Sequence, residues 1–286
     1  MMPHSLDVGD EREIASMQPL VETDDAQQEA SADETLENFL HSVSVSSECT
    51  LLMDFDGTLA PFRIDPAMVR PWAGVEKLLN EIQDQGRTRI AIISGRPARD
   101  VALQIQFRRP VEIWGLHGAE RLLPGGQLEL EQLPAEQTEA LSGARTAIHD
   151  AKLGLRTEDK SNAVVVHWRG KSRHAAETAR RKALQILKPF VDQTHMNLLQ
   201  FDGGAELRAG RNKGEAVRLL LSNTSPGSPV AYLGDDTTDE DAFVALSRRG
   251  LGILVRRSWR SGAAKLWLRP PAELRGFLKA WLAAVS

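Results

Sequence analysis

Leu52-Met53-Asp54-Phe55-Asp56-Gly57-Thr58-Leu59 is the stretch on which the reading of this chain turns. An apolar run beginning at Cys49 ends in two carboxylates spaced two apart, followed by Gly57 and Thr58. Alternate residues of a strand point the same way, so Asp54 and Asp56 can converge as the strand frays into a loop at Gly57. Two carboxylates converging at the end of a buried strand repel each other. They invite a divalent cation, or one of them holds a proton. Alone, the stretch would be read as a strand and an Asp-Gly turn.

Three further segments change that balance. Ile93-Ser94-Gly95-Arg96-Pro97 ends a strand in a hydroxyl and a glycine before a helix start, a geometry that offers an O–H and N–H groups to an anion. By itself it would be a capping serine with a loop glycine. Arg211-Asn212-Lys213-Gly214-Glu215 opens a helix and can bring Lys213 to a phosphate or a carboxylate, although most lysines are simply solvated. Leu233-Gly234-Asp235-Asp236-Thr237-Thr238-Asp239-Glu240-Asp241 ends another apolar strand in more acids than a helix cap requires. Oxygen ligands at that density point to Mg²⁺, which takes one or two direct carboxylates and keeps waters.

Around these segments strands and helices alternate. Strands are expected at 50–55, 88–93, 111–116, 230–233 and 251–255, and helices at 74–85, 99–107, 239–246 and 272–284. That rhythm predicts an α/β fold, a Rossmann-like doubly wound parallel sheet with ligands beyond the carboxyl ends of its strands. Between the two halves, strands near 127–130, 163–168, 196–201 and 206–209 and helices at 136–152 and 174–191 read as an inserted α/β module, placed at 122–204. The core is then 35–121 with 205–286. Residues 1–34 are rich in Asp and Glu against a single Arg12 and lack aromatics, so a flexible acidic tail is expected, or a short docking helix near Glu11–Met17. Gly-rich stretches at 123–126 and 202–204 are the expected hinges.

With 286 residues, 42% hydrophobic and 26% charged, the composition is that of a globular protein. One cysteine excludes an intrachain disulfide and fits a cytoplasmic setting. No apolar run suggests a membrane span, and scattered basic residues with few aromatics argue against nucleic acid as a partner.

The four segments, in this order over Thr50 to Phe243, resemble the haloacid dehalogenase superfamily of aspartyl phosphotransferases, and the inserted module matches that superfamily's cap in position and size. The form Gly234-Asp235-Asp236-x-Thr238-Asp239-Glu240-Asp241-Ala242-Phe243 resembles the trehalose-6-phosphate phosphatases in particular. So do Leu116-His117-Gly118-Ala119-Glu120, Glu158-Asp159-Lys160 with His167-Trp168-Arg169, and Glu206-Leu207-Arg208 with Asn212-Lys213-Gly214. Trp168 and Ala209 stand where that family has Tyr and Pro, and Glu206 to Lys213 is one residue shorter, so an altered loop is expected there.

The resemblance implies Mg²⁺-dependent hydrolysis of trehalose 6-phosphate through an aspartyl-phosphate. Asp54 is the implied nucleophile and Asp56 the acid and base. Ser94, Gly95 and Lys213 bind the phosphoryl group. Asp54, the Asp56 carbonyl and Asp235 hold the metal, with Asp236 and Asp239 orienting waters or Lys213. Arg96, His117, Glu158, Lys160, His167, Arg169, Glu206 and Arg208 are the implied substrate contacts. A trehalose-phosphate synthase is the implied pathway partner, and a monomer is expected. Phosphatases for sucrose 6-phosphate or a mannosyl phosphoglycerate are the alternatives within the same chemistry. A catalytically silent regulatory protein is the alternative outside it, although it would be expected to have lost one of Asp54, Asp56, Lys213 or Asp235.

Overall fold

The computed structural model describes residues 22–286 except 64, 153–155, 195 and 202, and for 22–32, 159 and 193 it describes the backbone alone. The chain begins with helix α1 (Glu22–Val45), strand β1 (Cys49–Met53), α2 (Val75–Asp84), β2 (Thr88–Ile93), α3 (Ala98–Gln104) and β3 (Glu112–Gly115). Next come β4 (Glu120–Leu122), β5 (Leu128–Leu130), α4 (Ala135–Asp150), β6 (Arg156–Lys160), β7 (Ala163–His167), α5 (Arg173–Thr194), β8 (Asn197–Phe201) and β9 (Gly204–Arg208). It closes with α6 (Lys213–Ser222), β10 (Val230–Gly234), α7 (Glu240–Leu246), β11 (Leu251–Val255), β12 (Leu266–Leu268) and α8 (Ala272–Val285).

Eight strands form one sheet in the order β12-β11-β10-β1-β2-β3-β4-β5. From β12 to β3 it is parallel, and β4 and β5 extend it antiparallel. Its central strands are apolar throughout because both faces are covered. Leu51, Met53, Ile92, Leu233 and Ile253 face a core built with α1, α2 and α8, centred on Trp281. Leu52, Ile93 and Tyr232 face the other way, onto α6 and α7. The chain leaves β1 toward β2 on one side and re-enters at β10 on the other. The switch point of the winding therefore lies between β1 and β10, where a crevice opens beyond the strand ends.

The second sheet, β6-β7-β9-β8, is antiparallel, and α4 and α5 cover one face of it. Its extent differs from the 122–204 reading at both ends. The β4–β5 hairpin pairs with the large sheet through β3, while β9 pairs with β7 and β8. The turn at 123–126 thus sits inside a core hairpin, and Gly203 and Gly204 belong to the β8–β9 turn of the small sheet, with residue 202 outside the described residues. Neither is a hinge. The chain crosses between the sheets after β5 and after β9. There Glu131 accepts the Arg211 backbone N–H at 2.8 Å, which ties the two crossings together.

The acidic composition of residues 1–34 also concealed a helix. α1 begins at Glu22, and Leu36, Phe39 and Val43 recur at helical spacing to pack on α8, with Phe39 and Trp281 rings 5.9 Å apart. Residues 1–21, including Glu11–Met17, lie outside the described residues. Among the described residues no helix is long and apolar enough to cross a membrane.

Candidate active site

Strand pairing brings the opening motif to the switch point. Met53 pairs with Leu233, and the Asp54 N–H donates to the Leu233 carbonyl at 2.8 Å. Asp54 and Asp235 therefore stand side by side at the carboxyl ends of neighbouring strands. Gly57 makes the approach possible. Its φ of +85° turns the chain back, and a Cβ there would lie 2.1 Å from Asp235 Oδ2.

Lys213, the first residue of α6, enters from the other side. It is buried, and its ammonium donates to Asp54 Oδ1 and Asp239 Oδ1, each at 2.7 Å. The shortened loop before it turns at Gly210 with φ +74°, and Lys213 still reaches both carboxylates. Asn212 and Glu215 form a capping box that fixes this helix start. Asp239 is fully buried and saturated. Besides Lys213 it accepts the Tyr232 hydroxyl at 2.5 Å and the Asp235 and Asp236 backbone N–H groups at 3.0 Å.

Carboxylate oxygens of Asp54, Asp235 and Asp239 all lie within 4.8 Å of one another. One ammonium faces three buried acids, and the imbalance shows in their protonation. Burial pushes Asp54 up to about 7 against the pull of Lys213, with Asp239 adding to the rise. Burial, then Asp54 and Asp239, push Asp235 up to about 9. Burial alone would lower Lys213, but Asp239 and Asp54 hold it above its ordinary value. Surplus negative charge on hard oxygens fits a small divalent cation.

Asp56 and Asp236 stand outside this cluster. Asp236 is exposed and caps a short 3₁₀ turn, accepting the Thr237 N–H at 2.7 Å, so its carboxylate serves the backbone. The Asp56 carboxylate forms a two-pronged pair with Arg96, Nη2 to Oδ1 being 2.7 Å. Arg96, expected at the substrate, also donates to the Pro66 carbonyl at 2.8 Å. Ser94 is buried at the end of β2, and its hydroxyl accepts the Arg96 N–H at 3.2 Å. His117 is buried behind Gly95, where a Cβ would meet its ring at 2.7 Å. Burial, then Arg208, Lys213 and Lys160, hold its pKa well below the usual imidazole range, so it packs as a neutral ring.

The remaining implied contacts come from the small sheet, and its register sets most of them on one face. One row across it is Lys160, Ala163, Arg208 and Asn197; the next is Glu158, Val165, Glu206 and Leu199; the third is Arg156, His167, Gly204 and Phe201. Intervening residues Val164, Val166, Ala205 and Leu207 face the helices. The opposite face meets the core. Lys160 Nζ lies 3.5 Å from the Gly95 carbonyl and 3.5 Å from Glu206, and Asn162 donates to the Leu116 carbonyl at 3.3 Å. Arg208 is buried with Nε and Nη1 lacking hydrogen-bond partners. Such groups are costly to bury unless something completes them. Arg169 is exposed in the turn after β7, packed against Gly203 and close enough to His167 to lower its pKa.

Sequence reasoning missed Tyr232, which anchors Asp239. Its signal was faint: the single tyrosine of the chain, in an apolar strand leading into the acidic motif. It also missed the Thr58 hydroxyl, which is buried without a partner beside this cluster's opening motif.

Comparison with known proteins gives a consistent result. The trehalose-phosphatase family model matches residues 52–266. A trehalose-phosphate phosphatase of Mycobacterium ulcerans is 29% identical over 79% of this chain, which spans 60% of that relative's length. The trehalose-6-phosphate phosphatase of Escherichia coli is 28% identical, over 78% of this chain and 85% of its own. Among solved structures, the C-terminal domain of the Candida albicans trehalose-6-phosphate phosphatase superposes with a TM-score of 0.70 at 21% identity, covering 87% of this chain and 96% of that one. The family match starts inside β1 and runs past Lys213, the end of β10 and Asp239, and the chain belongs to the trehalose-phosphatase family.

Proposed function

We propose that this chain is a Mg²⁺-dependent phosphatase that hydrolyses trehalose 6-phosphate to trehalose and phosphate. The observation that carries the reading is the buried triad of Asp54, Lys213 and Asp239 beside Asp235 at the switch point of the sheet. Lys213 occupies Asp54 Oδ1, which leaves Oδ2 as the nucleophilic oxygen. Asp239 and Tyr232 hold Lys213 in place, so the ammonium can serve both nucleophile and phosphoryl oxygen.

In the first step Asp54 Oδ2 bonds to phosphorus as the phosphorus–sugar oxygen bond breaks, and Asp56 gives its proton to the departing oxygen. In the second, water attacks phosphorus, Asp56 takes the water's proton, and the bond to Asp54 breaks to release phosphate. Arg96 orients the Asp56 carboxylate for both transfers. Ser94, the Gly95 N–H and the unpartnered Thr58 hydroxyl cradle the transferring group. Asp54, Asp235 and the Asp56 carbonyl would hold Mg²⁺, which when bound would neutralise phosphoryl charge. The carboxylates and cations on the inward face of the small sheet read the sugar hydroxyls.

Phosphate release from a panel of sugar phosphates, with Mg²⁺ and with EDTA, tests this. Trehalose 6-phosphate with Mg²⁺ is expected to give the highest kcat/KM. Preference for sucrose 6-phosphate or glucose 6-phosphate overturns the substrate assignment.

A further inference from the structure

The third row of the small sheet carries a group that the motifs do not account for. Phe201 ends the edge strand β8 on the same face as Lys160, Glu206 and Arg208, and it is 39% exposed there. Its seat is built. Opposite it stands Gly204, where a Cβ would lie 2.3 Å from the ring, so only glycine lets Phe201 lie down on the strand. His167, next in the row, meets the ring edge-on at 5.7 Å, and its Nε2 stands 3.5 Å from Glu158. A carboxylate, an imidazole and an open aromatic face thus line up across the sheet.

Position decides what this strip can touch. Lys160, in the first row, reaches the Gly95 carbonyl at the phosphoryl site. Each further row is two residues along the strands, about 7 Å, so the third lies about 14 Å beyond the first. A pyranose with its phosphate covers about one such step. Reaching Phe201 takes a second ring.

We propose that Phe201 is a specificity-determining residue whose ring, seated on Gly204 and edged by His167, stacks on the sugar ring remote from the phosphate and so selects a phosphorylated disaccharide over a phosphorylated monosaccharide. The inference rests on the phosphatase reading above. A pyranose turns C–H bonds outward on its faces and hydroxyls around its rim. An aromatic face attracts the former while Glu158 and His167 accept or donate to the latter. Burying an exposed ring against a sugar also removes apolar area from water.

The test uses the full chain with Mg²⁺ and two inhibitors, trehalose and inorganic phosphate. In Phe201→Ala the Ki of trehalose should rise about ten-fold and that of phosphate less than about two-fold, while Phe201→Trp retains trehalose affinity. The kcat/KM ratio of trehalose 6-phosphate over glucose 6-phosphate should fall about ten-fold in Phe201→Ala. An unchanged trehalose Ki overturns the proposal. So does a parallel rise of both Ki values, which would mark a structural role. If the unaltered chain releases no phosphate from trehalose 6-phosphate, the phosphatase reading fails and this inference with it; if it does and only the Phe201 results miss, the inference alone fails.

Discussion

Withdrawing divalent metal should turn Asp235 into a pH-dependent weak point. Burial first, then the facing carboxylates of Asp54 and Asp239, push its pKa from 3.8 up to about 9. Between those values the native state keeps a proton that the unfolded chain has released, so unfolding free energy falls as pH rises. Asp235 dominates the interval from about pH 7 to about pH 8.5. Asp54, raised to about 7, is half titrated at the lower edge and adds a smaller slope of the same sign that fades above it. Buried His117 and half-buried His167, whose pKa values are lowered by burial, add an opposite slope only below the ordinary imidazole value. Cys49, Tyr232 and Lys213 are all raised, so they act above the interval. One proton is worth about 1.4 kcal/mol per pH unit, and the metal-free protein should therefore lose about 2 kcal/mol across it. Urea unfolding in EDTA at several pH values measures this directly. Saturating Mg²⁺ should flatten the slope, because a cation favours the ionised carboxylate, and Asp235→Asn should flatten it without metal. A flat EDTA profile, or a slope that survives undiminished in Asp235→Asn, refutes the reasoning.

Three other substitutions probe separate parts of the site. Gly57→Ala places a methyl at φ +85° against the Asp235 carboxylate, so stability should fall by about 2 kcal/mol and the Mg²⁺ needed for half-activation should rise, as denaturant midpoints and metal titration will show. Asp239→Asn sets an amide N–H₂ against either Lys213 and Tyr232 or two backbone donors, whichever way it flips. A loss of about 3 kcal/mol in unfolding free energy is expected, with turnover abolished at intact secondary structure. Arg96→Gln frees Asp56, so kcat should drop by about ten-fold or more with KM moved less than about three-fold. A raised KM at unchanged kcat would return Arg96 to the role of substrate contact.

The large sheet was legible because its strands are buried on both faces and read as plain apolar runs ending in glycine and acid. Asp54, Ser94, Lys213 and Asp235 could be named from sequence for the same reason, each marking a strand end or helix start. What was not legible depends on pairing. Arg156-Thr157-Glu158-Asp159-Lys160 has no apolar alternation and reads as a charged turn, yet it is a strand because apolar β7 offers it a partner. β12 is three residues long, and β4 follows a turn in which Leu116 and His117 take positive φ, so neither carries its own periodicity. The partnership of Arg96 with Asp56 joins side chains forty positions apart, and no spacing rule reaches that far. The hinges were sought at glycines, but those glycines close hairpins, and the crossings lie at Glu131 and Arg211 instead.

The central claim is that Asp54 carries the phosphoryl group. During turnover of trehalose 6-phosphate with Mg²⁺, an acid quench followed by borohydride reduction converts an aspartyl-phosphate to homoserine, which peptide mass spectrometry locates. Homoserine at position 54, and at none of 56, 235 or 239, is the predicted result. Steady phosphate release with no homoserine, or with homoserine at another of these positions, would contradict it.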